Sequence, residues 1–279
     1  MTFVDFARLH GIILDVLPPI GIWKRYMTTD KPTSRNGAVK FMGSHGFVQN
    51  HATMIEVNTW RDESDAPIAL QQVQASVNKA HQEAIKNNAQ AAQQAVGILG
   101  QCKTKKHAYT EAKGFADEVV NVWETDAGPV AVIPMRIGAD VVGCQLISED
   151  GTKKFLFGQR SGGAQFIFDN KGDHYLCEGY ATGLSIRHAL KNLKRKYTIH
   201  VGFSAGNMKK IAAQLDRGFV IADNDASKTG QRVAEEIGWP YWLSDRVGED
   251  FNDAHQRLGL FAVSMQLQKL ISETRRVAA

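Results

Sequence analysis

Three carboxylates suggest the chemistry this sequence could perform. Glu178 opens the turn Glu178-Gly179-Tyr180-Ala181-Thr182-Gly183, and Asp223 and Asp225 flank Asn224 further along. Each acidic turn follows a short apolar run, 174–177 in one case and 219–222 in the other, and each precedes a helical pattern. The stretch reads as strand, acidic turn, helix, strand, helix, strand, acidic turn. In a parallel sheet with right-handed crossovers, both turns emerge at the carboxyl ends of strands, where open α/β sheets place ligands. Carboxylates gathered there repel one another unless a cation sits among them, and ligation by oxygen alone suits Mg²⁺ or Mn²⁺. Singly, Asp223 and Asp225 are ordinary turn formers at a strand end. Their combination with Glu178 carries the metal reading.

The elements that must position these groups fill residues 172–279. Beyond Asp225 the pattern gives a helix through Gly230, Ala234 and Ile237, a strand at 240–243 and the acidic segment Gly248-Glu249-Asp250-Phe251-Asn252-Asp253. A last helix over 261–276 has Val263, Met265, Leu267, Leu270 and Ile271 as its apolar face. Residues 101–171 read differently. A basic run at 101–107 is a solvated face, and strands at 130–136, 141–147 and 153–157 are joined by the turns Gly138-Ala139-Asp140 and Glu149-Asp150-Gly151. Hairpins before about 170 and crossovers after it place a boundary there.

Residues 67–100 read as one long polar helix, with Asp65 as its cap, Pro67 in its first turn, and Gly97 and Gly100 at its end. Its apolar stripe is thin (Val73, Val77, Ala80, Ala84) and its length is roughly 45–50 Å, so it is expected to bridge two domains. Residues 1–66 give a short helix capped by Thr2 and strand-like pieces at 22–27, 38–42, 46–48 and 53–57, a small antiparallel sheet. Lys24, Arg25, Lys31, Arg35, Lys40, His45 and Arg61 interleave there with Trp23, Tyr26, Phe41, Phe47 and Trp60. That mixture suits contact with a single-stranded template; it equally suits a small sheet whose rings are core and whose lysines are solvated. The fold class is thus α/β around the acidic turns and α+β over the whole chain.

Hydrophobic content of 43% and charged content of 22% over 279 residues fit a globular protein with substantial cores. A net charge of +4 and a pI near 8.9 permit a polyanionic partner without requiring one. Cys102, Cys144 and Cys177 are far apart and form no C-x-x-C pair, which excludes a zinc ribbon and predicts reduced thiols. No apolar run approaches the roughly 18 residues of a membrane span, and no signal pattern opens the sequence, so a soluble cytoplasmic protein is expected.

Glu178-Gly179-Tyr180 after a strand, Asp223-x-Asp225 after another, and the following Gly230-x-x-x-Ala234 helix resemble the Toprim domain of bacterial-type primases, topoisomerases, recombination mediators and some nucleases. Lys113-Gly114-Phe115, Ile133-Pro134-Met135-Arg136 and Lys154-Phe155-Leu156 resemble the basic subdomain that precedes Toprim in primases. The chain is similar to the primases of plasmids and tailed phages through His107-Ala108-Tyr109, Ala205-Gly206-Asn207-Met208 and Asp250-Phe251-Asn252-Asp253. Arg35-Asn36-Gly37 and Gln49-Asn50-His51 also fit. Chromosomal primases carry an acidic residue where Thr182 stands here, and the plasmid and phage branch implies that Asp250 and Asp253 supply that charge.

The resemblance implies a DNA primase that makes RNA primers on single-stranded DNA from NTPs, using two Mg²⁺ or Mn²⁺ ions and no zinc. No P-loop occurs, so a separate replicative helicase is the expected partner. Glu178, Asp223 and Asp225 are the expected catalytic groups, with Asp250 and Asp253 joining them as metal ligands; Asp253 equally suits a helix cap. Lys113, Arg136, Lys153, Lys154, Lys209, Lys210, Lys228 and Arg232 are expected to border the cleft and hold phosphates. Taken one at a time, each is as well read as a surface charge. A metal-dependent Toprim nuclease and a non-catalytic DNA- or helicase-binding module are the rival readings.

Overall fold

Thr2 begins the first helix as the sequence predicts: its hydroxyl accepts the Asp5 N–H at 3.2 Å and caps α1 (Phe3–Leu9). The structure is a computed structural model that describes residues 1–51, 53, 54, 56–62 and 70–277. The chain divides into two units, Met1–Lys86 and Asn87–Ala279. The division falls within the long helix α2 (Leu70–Gln101). Asp65, Pro67 and the side chains of Val73, Val77 and Ala80 lie outside the described residues.

In the first unit β1 (Trp23–Tyr26), β2 (Gly37–Phe41), β3 (His45–Asn50) and β4 (Asn58–Arg61) form an antiparallel sheet in chain order. Phe3 and Ala7 of α1 pack on Val39, Val48 and Trp60. A Cβ at position 46 would collide with the Phe3 ring, so glycine is what admits that ring onto β3. The fourth strand lies at Asn58–Arg61 rather than 53–57, because the Asn50 carbonyl accepts the N–H groups of Thr53 and Met54 and turns the chain. Phe41 and Trp60 belong to this core, whereas Trp23 is 47% exposed beside Phe47.

The second unit contains two sheets. The first is a meander of β5 (Lys103–Lys106), β6 (Val119–Thr125), β7 (Gly128–Ile137), β8 (Asp140–Ser148) and β9 (Lys153–Phe155), with the short helix α3 (Ala108–Ala112) between β5 and β6. Alternation sorts its side chains. Val132, Cys144, Leu146 and Leu156 meet Ala91, Ala95 and Ile98 of α2, while Ala131, Ile133, Met135 and Ile147 join the main core. The buried stripe of α2 therefore lies later than the predicted one, and Ala84 is exposed. The helix ends at Gln101, one residue beyond Gly100; Gly97 and Gly100 face open space in its last turns while Ile98 between them is buried. The basic run at 103–106 is an edge strand, exposed throughout, whose partner β6 the sequence reading gives no strand.

The second sheet comprises β10 (Phe166–Asp169), β11 (Asp173–Cys177), β12 (Tyr197–Val201), β13 (Phe219–Ala222) and β14 (Tyr241–Leu243), ordered β10-β12-β11-β13-β14. All its pairings are parallel except β10 with β12. Helices α4 (Tyr180–Asn192) and α8 (Leu260–Val277) cover the face carrying Tyr175, Cys177, Ile199, Val201 and Ile221. Helices α5 (Ala205–Ala212) and α6 (Thr229–Ile237) cover the face carrying Leu176, Val220 and Ala222. Burial on both faces is what a parallel sheet requires. The chain runs from β11 to β12 on one side, then returns to β13 and β14 on the other. That reversal makes the carboxyl ends of β11 and β13 neighbours, with Cys177 opposite Ile221.

Candidate acidic site at the carboxyl edge of the parallel sheet

Glu178 leaves the end of β11 and Asp223 the end of β13, so adjacent strands deliver them to one crevice. A second loop is laced to the Asp223 turn. The Gly248 N–H donates to the Asn224 carbonyl at 2.6 Å, the Asn224 N–H donates to the Glu249 carbonyl at 3.3 Å, and the Asn224 side-chain amide donates to Ser244 O at 2.9 Å. This brings Asp250, the N-cap of helix α7 (Phe251–Leu258), within electrostatic reach of Asp223.

The electrostatics record that crowding. Burial, then the negative charges of Asp250, Glu178 and Asp225, push the Asp223 carboxyl up to about 7. Its Oδ1 is buried without a hydrogen-bond partner. Burial and the Asp225 charge raise Glu178, while the Ala205 N–H and the Lys153 ammonium partly offset them. Asp225 behaves differently. Burial acts to raise it, but hydrogen bonds from Ser227, Gly230 and Thr229 prevail and hold it below the usual carboxylate range. Its Oδ2 accepts the Gly230 N–H at 3.0 Å and its Oδ1 accepts the Thr229 N–H at 3.2 Å and the Ser227 hydroxyl, so it caps α6. Gly230 makes that cap possible, since a Cβ there would collide with the Asp223 backbone.

Asp250 and Asp253 form a capping box: Asp250 Oδ1 accepts the Asp253 N–H at 2.9 Å and Asp253 Oδ2 accepts the Asp250 N–H at 3.3 Å. The other oxygen of Asp253 faces Lys113 Nζ at 3.8 Å. Both Asp253 oxygens thus have protein partners, which favours the cap over the metal for that residue. Among the described residues no group of three or more His, Cys, Asp or Glu side chains is arranged closely enough to hold a metal ion. What fits a divalent cation is narrower: a buried, unpartnered oxygen on Asp223, within the field of Glu178, Asp225 and Asp250. Thr182, where an acidic residue stands in chromosomal primases, is buried in α4 and its hydroxyl has no partner.

The cations expected around the cleft separate. Lys153 acts on both Glu178 and Asp223. Lys154 alternates to the other face of β9, opposite Leu146 and beside Leu156, the face that α2 covers. Arg136 donates to the Ala139 carbonyl at 2.8 Å in the β7–β8 turn. Lys209 and Arg232 both pair with Glu236. Lys228 is exposed at the start of α6, in a left-handed conformation, and Lys210 is exposed on α5. Lys113 remains at the site because Asn252, fully buried on α7, donates from its amide to the Lys113 carbonyl at 2.9 Å and to Ser185 at 3.0 Å.

Three supporting groups were not assigned a role from sequence. Glu249 accepts the Arg257 guanidinium through both oxygens at 2.6 Å and the Ser244 hydroxyl at 2.5 Å, and these bonds hold its carboxyl down to about 2. It braces the loop that presents Asp250. Ala205, at the start of α5, turns its N–H on Glu178. Phe203, with φ of 61°, sits in the left-handed region on the same loop and donates its N–H to the Glu178 carbonyl oxygen at 2.9 Å. Glu249 and Ala205 stand in the segments 248–253 and 205–208 that the sequence singles out, whereas nothing in a single sequence marks Phe203. His107 is structural: Nδ1 accepts the Tyr109 N–H at 3.1 Å, which leaves Nε2–H for the Pro129 carbonyl.

A family model described as Toprim domain matches residues 173–260. No curated protein matches the chain. Toprim domains occur in enzymes that act on nucleic acids and generally bind Mg²⁺. The matched span opens at the first residue of β11 and closes at the first of α8, enclosing every carboxylate of the acidic edge. Residues 173–260 of this chain are a Toprim domain.

Proposed function

We propose that the protein is a DNA primase, a nucleotidyltransferase that joins ribonucleotides into short primers on single-stranded DNA in phage or plasmid replication. The observation that supports this best is the convergence of Glu178 and Asp223 from adjacent strands, with Asp225 and Asp250 adding charge and Lys153 facing them. Joining two nucleotides requires that a 3′-hydroxyl lose its proton, that its oxygen bond the α-phosphorus, and that pyrophosphate leave. Divalent ions, when bound at the acidic edge, would supply activation of the hydroxyl and neutralisation of the phosphate charge. Asp223, through its unpartnered Oδ1, and Asp250 would hold the ions, and Asp225 orients the start of α6 beside them. Glu178, with its raised proton affinity, accepts the hydroxyl proton, or would serve as a further ligand to a bound ion. Lys153 holds a phosphate oxygen. The partners in this reading are NTPs, a single-stranded template and a separate replicative helicase.

The test is incorporation of labelled NTPs on single-stranded DNA. Glu178→Gln with Asp223→Asn should lower it at least 100-fold; activity that survives both changes overturns the assignment. A metal-dependent Toprim nuclease is the second reading, favoured by the engagement of Arg136, Lys209 and Arg232 with partners other than the acidic edge. Mg²⁺-dependent cleavage of DNA without NTP incorporation would select it.

A further inference from the structure

Beside the acidic edge, β9 and the turn after it carry two phenylalanines that the core leaves out. Phe155 is 48% exposed and Phe157 is 87% exposed. Lys153 and Phe155 share the face of β9 opposite Leu156, and Lys153 is the cation whose field reaches Glu178 and Asp223. Phe155 meets the edge of the Phe203 ring, centroids 6.4 Å apart and planes at 88°. Phe203 is itself a bulky residue held at positive φ on the β12–α5 loop, whose N–H donates to the Glu178 carbonyl, and such a conformation costs free energy and concentrates at functional sites. Exposed Arg160 follows on the next loop, and the ammonium of exposed Lys210 lies over Gly162 of that loop.

Single exposed rings are common, but two in succession, bordered by cations and backed by a strained third ring, need an account. We propose that Phe155 and Phe157 form a stacking ledge for unpaired bases of a single-stranded nucleic acid, which Lys153, Arg160 and Lys210 hold by its phosphates. The choice of occupant follows from charge. A basic rim around open aromatic faces matches a polyanion with flat apolar bases, and stacking of this kind tolerates any base sequence. The ledge rests on the nucleic-acid reading of the acidic edge and adds to it how the strand is aligned there.

The experiment measures binding of the whole chain to a fluorescent oligo-dT strand and to an abasic strand of equal length and charge. Wild type should prefer the base-bearing strand by about tenfold or more. Phe155→Ala with Phe157→Ala should abolish that preference while keeping the weaker, salt-sensitive binding to the abasic strand. Phe157→Ala alone, at a position too exposed to affect folding, should lower the preference severalfold, and Phe157→Trp should restore it. Equal binding of the two strands by wild type, or an unchanged preference in the double variant, overturns the ledge and leaves the NTP-incorporation result to judge the primase reading. Intact base preference in a protein that incorporates no NTP overturns the primase and keeps the ledge.

Discussion

Asp223 concentrates the cost of the acidic edge in one side chain. Its carboxyl is pushed up to about 7 by burial and by three neighbouring carboxylates, whereas in the unfolded chain it titrates near its ordinary value of 3.8. Between those two values the folded protein holds a proton that the unfolded chain has lost. Stability must therefore fall as pH rises through that window, by on the order of 4 kcal/mol. In chelator, thermal midpoints should decline from pH 5 to pH 8, and Asp223→Asn should flatten the decline. Added Mg²⁺ should raise the midpoint of wild type at pH 8 more than that of the variant, since binding to the folded state stabilises by mass action. A variant that melts with the wild-type pH slope would remove Asp223 as the strained group.

At the scale of elements, the question is what holds two acidic turns within reach of each other. Gly230 is the tightest point. Helix α6 starts so close to the Asp223 backbone that a methyl group at position 230 has no room, and the Gly230 N–H is one of the donors fixing Asp225. Gly230→Ala should cost about 2–3 kcal/mol, as overpacking does, and should lower NTP incorporation with it. Gly206→Ala makes the same chemical change in α5 where no atom lies within 4 Å, and should be neutral or slightly stabilising. Equal melting of the two variants would refute the close approach.

These elements were legible to the extent that their local signals were strong. The alternation of apolar runs, acidic turns and helical patterns from 174 to 243 places β11, β13 and β14 near their observed positions and calls for one more strand, β12, between the first two. It could not reveal that β11 and β13 are neighbours, because sheet order is decided by long-range pairing. The reading of Asp253 as a ligand or a cap stayed open in sequence, since both need an acidic residue at a loop end; the capping box is visible only in three dimensions. Lys153 and Lys154 looked equivalent until the pleat of β9 turned them to opposite faces. Strand β5 was hidden because an edge strand with four exposed residues has no apolar alternation to detect.

Over the whole molecule, α2 is the element that belongs to both units, and its composition explains how. A polar helix rich in Ala and Gln cannot bury a broad stripe, yet Ala91, Ala95 and Ile98 suffice to seat its last turns on the meander sheet because small side chains allow close approach. That face of the sheet is backed by Val132, Cys144 and Leu156, and its opposite face joins the core shared with the Toprim domain. Damage at Ala95 should therefore propagate through the sheet. Ala95→Glu places an unpaired carboxylate at a fully buried position and should lower stability by about 3 kcal/mol or more, whereas Gln94→Glu, one residue away and exposed, should leave it within about 0.5 kcal/mol. Calorimetry of the full chain reads both. Because the sheet and the Toprim domain share one core, the Ala95→Glu protein should lose the heat absorption of 87–279 as a single shifted transition, and separate melting of the two sheets would contradict that shared core.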